Sequence, residues 1–483
     1  MKKKFSYLLL SLLILPCLVL FSGCGETEPP VLTPLTESMI TLDYTSTVYS
    51  GTEKTPAVTV RLDGQTVNAD QYTVEYKNNI NVGTARVIVK ASEKSTTISG
   101  SASRTFSITR ISKTVSNYQE LKETLLDSNY TTIYCNGNIS VPANENVVIN
   151  EGITLNIGVF NLNNNGNIVN NGNFVLNSKP SGDGTLKNNG ILTANIQTRQ
   201  GLIDALTYAN KIVLADTITG GVNTLERINI GGENKIVDVT IDLNGKNLET
   251  NIAVYGSQTH QVNVRITNSS STPSTIGTES HNYGIIVLGN GNSNFNVQLN
   301  NLNFVGFEGG IATNGTYNNG IISATKCTFE GKNLGDSDLT KTGVGAYLPA
   351  KYGYTFKNCT FIGYTAYYTK SGTHGLTNCI FEAKGTTYHE PNKNGNGANP
   401  TGSALVIDSS TNYQEPLNVY VSGGTFKSEC GYGVEEYATY SAGETKVVYS
   451  NVTLAEVIKF TTEKENYVSE NNVIIDEIVE EEE

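Results

Sequence analysis

The 483-residue chain contains no tryptophan, two methionines and only seven cysteines. Cys17 and Cys24 lie near the amino terminus, and the other five are widely spaced: Cys135, Cys327, Cys359, Cys379 and Cys430. An odd, sparse set of cysteines is a poor disulfide framework. No CxxC pair occurs, and no cysteine stands at the spacing from histidine that zinc sites use. The sequence therefore predicts neither a disulfide-stapled fold nor a metal site, and it implies no cofactor.

Long apolar runs are also scarce: only the first residues of the chain form one. The chain opens MKKKFSYLLLSLLILPCLVLFSGC, with three lysines, an apolar run and small residues ahead of Cys24. This start resembles the signal of a bacterial lipoprotein. The resemblance implies that residues 1–23 are removed and that Cys24 carries two acyl chains, which is enough for stable anchoring. Residues 24–38, with three prolines, then form an extended tether.

The chain lacks an excess of basic residues. Its formal net charge is -12, and its end, residues 461–483, closes on the acidic run EIVEEEE. This charge argues against nucleic acid as a partner. No second apolar run is long enough to cross a bilayer. We therefore expect an extracytoplasmic protein, lipid-anchored to the bacterial membrane and exposed at the cell surface.

Residues 39–111 alternate apolar and polar side chains in AVTVRL, YTVEYK and ARVIVKA, separated by turn residues. This alternation predicts a small antiparallel β-sandwich. The stretch YTVEYKNNINVGTARVIV (72–89) resembles the bacterial Ig-like modules of surface proteins. That resemblance implies a spacer or interaction stalk.

A helix-then-strand pattern occurs twice in the rest of the chain. Residues 116–141 predict a helix capped by Ser116, and 198–220 repeat the pattern with Leu202 in the place of Leu121. Residues 112–196 are predicted to form a helix-capped first solenoid unit, and 197–460 a parallel β-helix. The Asn-rich run 161–177 is interpreted as solenoid rungs, with disordered low complexity as the alternative.

One short phrase recurs as NLNFVG (301), KCTFEG (326), NCTFIG (358), NCIFEA (378) and GGTFKS (423). Positions i and i+2 of a strand share a face, so the apolar pair of each phrase should point to one interior. The predicted internal ladder contains Cys327, Phe329, Cys359, Phe361, Cys379 and Phe381. The residue before each pair, mostly Asn, accepts a positive φ at a tight corner. The cysteines are predicted to be buried thiols; a disulfide between rungs stays open.

These phrases, the capped start and VDVTIDLNGKNLE (237–249) give residues 112–460 a resemblance to pectate-lyase-like solenoids, of the adhesive type on bacterial surface proteins. The predicted fold is therefore all-β: a small Ig-like β-sandwich followed by a right-handed parallel β-helix with short capping helices. The resemblance implies either a binding surface or a polysaccharide-cleaving enzyme, because one fold hosts both.

Tyrosines crowd two coils of the predicted β-helix and can offer flat faces with polar tips. The possible ligand-contact residues are Tyr347, Tyr352, Tyr354, Tyr364, Tyr367 and Tyr368; ordinary outward tyrosines are the alternative. The loop 384–403, with His389 and Glu390, is either a functional excursion or a flexible insertion.

Enzymes of this fold use outward carboxylates or an Arg or Lys base. No arginine follows Arg265, and SGTHGLTN (371–378) only partly resembles the histidine–glycine motif of polygalacturonases, so His374 is predicted to be a loop or surface residue. We therefore expect a non-catalytic adhesin or binding module that contacts a glycan or protein on host, matrix or other cells. The alternatives are a polysaccharide lyase or glycoside hydrolase, and a structural envelope protein.

Overall fold

The computed structural model describes most of the chain from residue 31 onward, and the chain divides into two compact units, residues 1–110 and 111–483. The described residues are 31–109, 111–127, 129–220, 227–232, 238–289, 293–314, 318–335, 342–390, 397–409, 417–438, 446–450, 452–454, 467–469 and 473–475. The predicted signal, Cys24 and the run after residue 475 lie outside them. No described helix is long and apolar enough to cross a membrane.

The first unit contains two main β-sheets around a shared core. One sheet has four strands in the order Ser46–Val48, Ser101–Thr109, Gly83–Ala91, Tyr72–Lys77; the other has Ile40–Leu42, Val58–Leu62, Gln65–Thr66. A short pair, Thr33–Pro34 with Ile98–Ser99, and two 3-10 turns, Glu37–Met39 and Ala69–Gln71, complete it. Alternation buries Ala85, Val87 and Val89 on one side of their strand. The predicted strands form, but Ser46–Val48 pairs parallel with Ser101–Thr109, so the sheet is not wholly antiparallel.

The second unit is a parallel β-helix, as the sequence predicted. Its first sheet, named sheet 1, contains Ile111–Val115, Tyr130–Cys135, Thr154–Asn156, Asn173–Leu176, Ile191–Ile196, Lys211–Leu214, Asp238–Asp242, Gln261–Thr267, Ser293–Asn300, Asn318–Thr325, Gly353–Lys357, the first halves of Gly372–Ala383 and Leu417–Ser428, Lys446–Ser450 and Tyr467–Ser469. Ile191–Ile196, from the first predicted solenoid unit, pairs parallel with Lys211–Leu214, from the second. The two units therefore form one continuous stack.

Two further sheets complete the rungs. Sheet 2 contains Ile218–Thr219, Leu248–Glu249, Thr275–Ile276, Asn303–Gly306, Thr328–Gly331, Thr360–Gly363, the second halves of the two long strands, Val452–Leu454 and Val473–Ile475. Sheet 3 contains Ile228–Gly231, Ile252–Tyr255, Tyr283–Leu288, Gly309–Asn314, Val344–Leu348, Thr365–Thr369, Leu405–Ser409 and Val434–Ala438. The earlier rungs have smaller sheets: Ile139–Val141 with Leu162–Asn164, and Asn146–Ile149, Asn167–Asn170, Thr185–Asn188. Strands in sheets 1 and 2 continue beyond residue 460, so the predicted acidic tail is partly solenoid.

The repeated phrase forms the corner between sheets 1 and 2. Its first residue has a positive φ in every copy: Asn301 59°, Lys326 55°, Asn358 53°, Asn378 50° and Gly423 67°. The phenylalanines stack with centroids 4.6–5.4 Å apart, in the order Phe304, Phe329, Phe361, Phe381, Phe426. The small residue that ends the phrase allows the next corner, since a Cβ on Gly331 would lie 2.6 Å from the Val344 backbone nitrogen. The predicted ladder is confirmed.

The three cysteines of the phrase form a row of buried thiols beside this stack. Cys327, Cys359 and Cys379 are all free, so no disulfide joins the rungs. The thiols of Cys359 and Cys379 each donate to a carbonyl of the preceding rung, Ala324 O and Phe356 O, at 3.5 Å. Burial raises the pKa of the Cys327 thiol well above its usual value. The three cysteine side chains therefore pack as small apolar groups.

A short helix lies at the start of each of the two helix-then-strand repeats. They span Tyr118–Leu126 and Arg199–Ala205, and each buries the predicted leucine, Leu121 or Leu202. The amino-terminal cap of the first helix is Asn117, not Ser116: Asn117 Oδ1 accepts from the Glu120 backbone, and Glu120 accepts from the Ser116 backbone. The helix cap therefore lies one residue later than predicted, and Glu120 accepts from the backbone of Ser116, the residue before the cap.

The Asn-rich run forms solenoid rungs, as predicted. Side-chain amides there bond to the residue 18 positions away: Asn170 to Asn188 at 2.7 Å and Asn171 to Asn189 at 2.9 Å. Since each amide offers donors and an acceptor, like residues in adjacent rungs satisfy one another.

Candidate functional site

The outward face of sheet 1 carries a polar surface that five described strands build in register. Strict alternation sends Val264, Val297 and Ile322 into the core. Their neighbours point outward and pair rung to rung in the order Lys211, Thr240, Arg265, Gln298, Ser323. Each outward side chain therefore lies about 4.8 Å, one strand spacing, from its counterpart on the next rung.

This face contains two adjoining hollows of about 660 and 440 Å³, together called the sheet 1 groove. They share Lys211, Thr240, Arg265 and Gln298. The remaining lining residues are Ile191, Asn210, Asp238, Val239, Asp242, Asn263, Val264, Thr267, Asn296, Leu299, Asn300, Ser323 and Thr325. Amides, hydroxyls and both signs of charge thus line one continuous shallow surface.

Four charges surround Thr240 in the groove. Asp238 and Asp242 precede and follow it on its own strand, and Lys211 and Arg265 are its partners on the neighbouring strands. The Lys211 ammonium makes no hydrogen bond or ion pair with the described residues. The opposite charges balance, so the groove carries no strong field of one sign.

Most charged groups of the groove are held by neighbours. Arg265 Nε and Nη2 donate to Gln298 Oε1 at 3.1 and 2.7 Å. Asp242 Oδ1 accepts from the backbone nitrogens of Asn244 and Ser269 at 2.9 and 3.0 Å. Asn263 donates to Asp238 Oδ1. The groove is therefore organised before any ligand arrives.

The spacing of the groove carboxylates bears on hydrolysis. Asp238 and Asp242 stand four residues apart on one strand, which is about 13 Å at the usual rise. Glycoside hydrolases place their two carboxyl groups about 5–9.5 Å apart. In the described part of the chain, no three His, Cys, Asp or Glu side chains are grouped to hold a metal ion.

No protein-family model, curated protein or solved structure matches this chain.

The prediction that the six tyrosines form an exposed ligand-contact surface is wrong. Five of the six side chains are buried, and only Tyr347 is half-exposed. Tyr354 and Tyr367 face the core of the solenoid; Tyr368 packs with Tyr347 and Val406 on the outer side of sheet 3. Their hydroxyls bond internally: Tyr352 to Asn314 O, Tyr354 to Ala350 O, Tyr364 to Thr387 O, Tyr367 to His374 Nδ1 and Tyr368 to Asp408 Oδ2. Buried, partnered rings cannot supply an exposed binding platform.

His374 lies in the core rather than in a loop or on the surface. Its ring stacks on Tyr354 with centroids 4.3 Å apart, and its Nε2 lies 2.7 Å from Thr369 Oγ1 and 2.8 Å from Ser371 O. Burial lowers the pKa of His374 to about 4. The imidazole is therefore neutral and structural.

The loop 384–403 packs over sheet 3, and we name it the cover loop. Of its described residues, Thr401 and Gly402 donate backbone N–H groups to Thr365 Oγ1 at 3.1 Å, and Tyr388 donates to Glu435 Oε1 at 2.9 Å. His389 stacks near Tyr364 at 5.8 Å, while Glu390 is exposed. These contacts make the loop a structural cover.

Asp336 and Asp338, which precede the cover loop in the sequence, lie outside the described residues.

The sequence did not lead to a prediction of the groove, although the residue pattern that builds it is present in the sequence. The strands VDVTID, QVNVRIT and NFNVQLN alternate apolar and polar residues, which marks one outward polar face per strand. What the sequence alone could not supply is the register that aligns those faces.

Proposed function

We propose that this chain is a surface-anchored lipoprotein whose β-helix is a non-catalytic adhesin or binding module. The sheet 1 groove is the proposed contact surface, and a glycan or protein on host, matrix or other cells is the proposed ligand. The observation that carries this proposal is the continuous row of amide, hydroxyl and charged side chains across five rungs. The lipid anchor at Cys24 and the Ig-like stalk remain parts of the proposal.

Two features of the groove support binding over chemistry. The side chains offer donors and acceptors side by side, which suits a hydroxyl-rich or amide-rich polymer. Arg265 and Asp242 are already engaged by neighbours, so they are positioned rather than free to exchange protons. Pre-positioned groups lower the ordering cost of binding.

The first experiment is a glycan and extracellular-matrix array with the purified chain from residue 25 onward, scoring each spot for bound protein and for cleavage. Arg265→Ala should weaken saturable binding by about tenfold or more, since a hydrogen bond to a charged group contributes about 1.5–3 kcal/mol. Lys357→Ala, on the same sheet face but outside the groove, is the matched control and should bind within about twofold. Equal binding by Arg265→Ala and the parent chain would place the ligand elsewhere.

A polysaccharide lyase is the second candidate, because the groove brings Lys211 and Arg265 beside Asp238 and Asp242. Lyases of this general architecture combine a basic side chain with carboxylates. Cleavage on the array that Lys211→Ala or Arg265→Ala abolishes would replace the adhesin by this enzyme. If the array shows neither binding nor cleavage, the structural envelope protein becomes the remaining candidate.

A further inference from the structure

A lysine and an aspartate contact each other inside the protein, on adjacent rungs of sheet 3. Lys370 follows the strand Thr365–Thr369, and Asp408 lies in the paired strand Leu405–Ser409. Thr369 pairs with Ile407, so the two side chains are next in register. Lys370 Nζ lies 3.0 Å from Asp408 Oδ2, and neither side chain has solvent-exposed area.

The third member of this group is Tyr368. Its hydroxyl donates to Asp408 Oδ2 at 2.7 Å, and the Lys370 ammonium lies 5.5 Å from the centre of its ring. Tyr368 is itself buried against Val344 and Val406. The two oxygens of Asp408 therefore differ, because Oδ1 has no hydrogen-bond partner among the described residues.

Keeping two opposite charges in this buried site costs free energy. Removing an ion pair from water loses hydration that the mutual attraction restores only when the remaining hydrogen bonds are made. Oδ1 lacks such a bond, and burial raises the pKa of Asp408 despite the opposing effect of Lys370. Condensation needs the neutral amine and the neutral acid, and transfer of one proton from the Lys370 ammonium to Asp408 supplies both forms. Burial, which raises the pKa of Asp408, favours the protonated acid.

We propose that Lys370 and Asp408 join in an intramolecular isopeptide bond. Lys370 Nζ attacks Asp408 Cγ, the Nζ–Cγ bond forms and the Cγ–Oδ1 bond breaks. Of the three protons on the ammonium, one stays on the amide nitrogen and two leave with Oδ1 as water. Both charges disappear together, and no oxidant, reductant or further reactant takes part.

The geometry assigns separate roles to the two carboxyl oxygens. Oδ2 becomes the amide carbonyl, and the Tyr368 hydroxyl stabilises the negative charge that develops there during attack. Oδ1, which has no hydrogen-bond partner among the described residues, is the leaving oxygen. The finished bond closes the chain from 370 to 408 into a covalent loop that contains the cover loop, so the cover cannot peel away from sheet 3 without unfolding both rungs.

Peptide mapping of the purified full chain by mass spectrometry tests this proposal. We expect Lys370 to resist trypsin and to appear in one branched peptide with the Asp408 segment, lighter than the two separate peptides by one water. Two linear peptides carrying unmodified Lys370 and Asp408, in both fresh and aged protein, would establish a buried ion pair only and overturn the proposal.

The chain supplies a matched control pair in Lys332 and Glu330. Their charged atoms lie 2.5 Å apart, but the side chains are 39% and 25% exposed. Because these side chains remain partly exposed to water, no link should form there. A link at both sites would contradict the argument that burial drives the reaction.

Three substitutions refine the test, and the decisive measurement remains the one on the parent chain. Lys370→Arg keeps a buried cation but cannot form the bond, so its branched peptide should be absent. Tyr368→Phe should lower the linked fraction severalfold at equal age, while Tyr347→Phe, whose ring lies 5.8 Å from Tyr368, should not. Equal linked fractions in Tyr368→Phe and the parent would overturn the role assigned to Tyr368.

Discussion

At the scale of single residues, the corners of the solenoid are decided by one backbone conformation. Five copies of the same phrase place their first residue at positive φ, where a Cβ approaches the carbonyl oxygen and only Gly, Asn and Asp are well tolerated. Three copies use Asn and one uses Gly, but the second copy uses Lys326. That lysine is the exception to the rule its neighbours follow.

Replacing Lys326 by Asn should stabilise the protein. Asn bonds to local backbone in the left-handed conformation, so the gain should be on the order of 1 kcal/mol, the scale of the strain that Lys carries there. The free energy of unfolding from urea titration measures the effect. Lys357→Asn, at an exposed strand end one rung further on, should change it by less than about 0.5 kcal/mol. A loss of stability in Lys326→Asn would show that the lysine stem contributes more than its backbone costs.

At the scale of elements, the cover loop shows how a polar segment can be packed without an apolar core of its own. Glu435, from the strand Val434–Ala438, accepts from the hydroxyls of Tyr388, Thr401 and Ser403, all on the loop. The carboxyl group is buried, and burial raises the pKa of Glu435 even though these hydrogen bonds oppose the rise. Protonation of Glu435 is therefore linked to folding of this region.

Stability should fall as pH rises past the ordinary range of glutamate. An acid whose pKa is raised in the folded state binds more protons folded than unfolded, so folding is favoured at low pH and loses that contribution as pH climbs to the folded pKa. The loss begins above the unfolded pKa of about 4.3. Glu435→Gln should flatten this slope in the thermal midpoint measured against pH.

Glu151→Gln is the control for that titration, because Glu151 is exposed in an early rung and is not among the groups that shift the pKa of Glu435. Its midpoint should follow the parent curve at every pH. A slope in Glu435→Gln equal to that of the parent chain would mean that the proton resides on another group.

At the scale of the whole molecule, the second unit is a stack in which each rung contacts mainly its neighbours. Such solenoids behave as sums of rungs and nearest-neighbour interfaces. The phenylalanine stack is the clearest of these interfaces, since Phe361 contacts Phe329 on one side and Phe381 on the other. Damage at one rung should therefore stay local.

Phe361→Ala tests this locality. Removing a fully buried ring should cost about 3–5 kcal/mol, through lost burial and the cavity left behind. Hydrogen exchange should report lost protection at 328–331, 360–363 and 379–383, while the Asn-rich rungs at 167–176 keep theirs. Thr360→Ala, outward on the same strand, should leave the exchange pattern unchanged. Uniform loss along the chain would instead indicate one cooperative unit.

The sequence by itself determined the local rules: alternation marked which side chains of the sheet 1 strands are buried, Asn and Gly marked the corners, and the recurring phrase predicted the stack of Phe329, Phe361 and Phe381. These properties depend on residues close in sequence, so a pattern reports them. Tertiary structure alone decided which outward faces align and which faces are covered. The register of distant strands assembles the groove around Thr240, and the cover loop buries Tyr364 and Tyr368, which no local pattern distinguishes from surface tyrosines. Lys370 and Asp408 meet for the same reason: contacts between rungs depend on how long each intervening loop is and how it folds back, and local composition does not encode that.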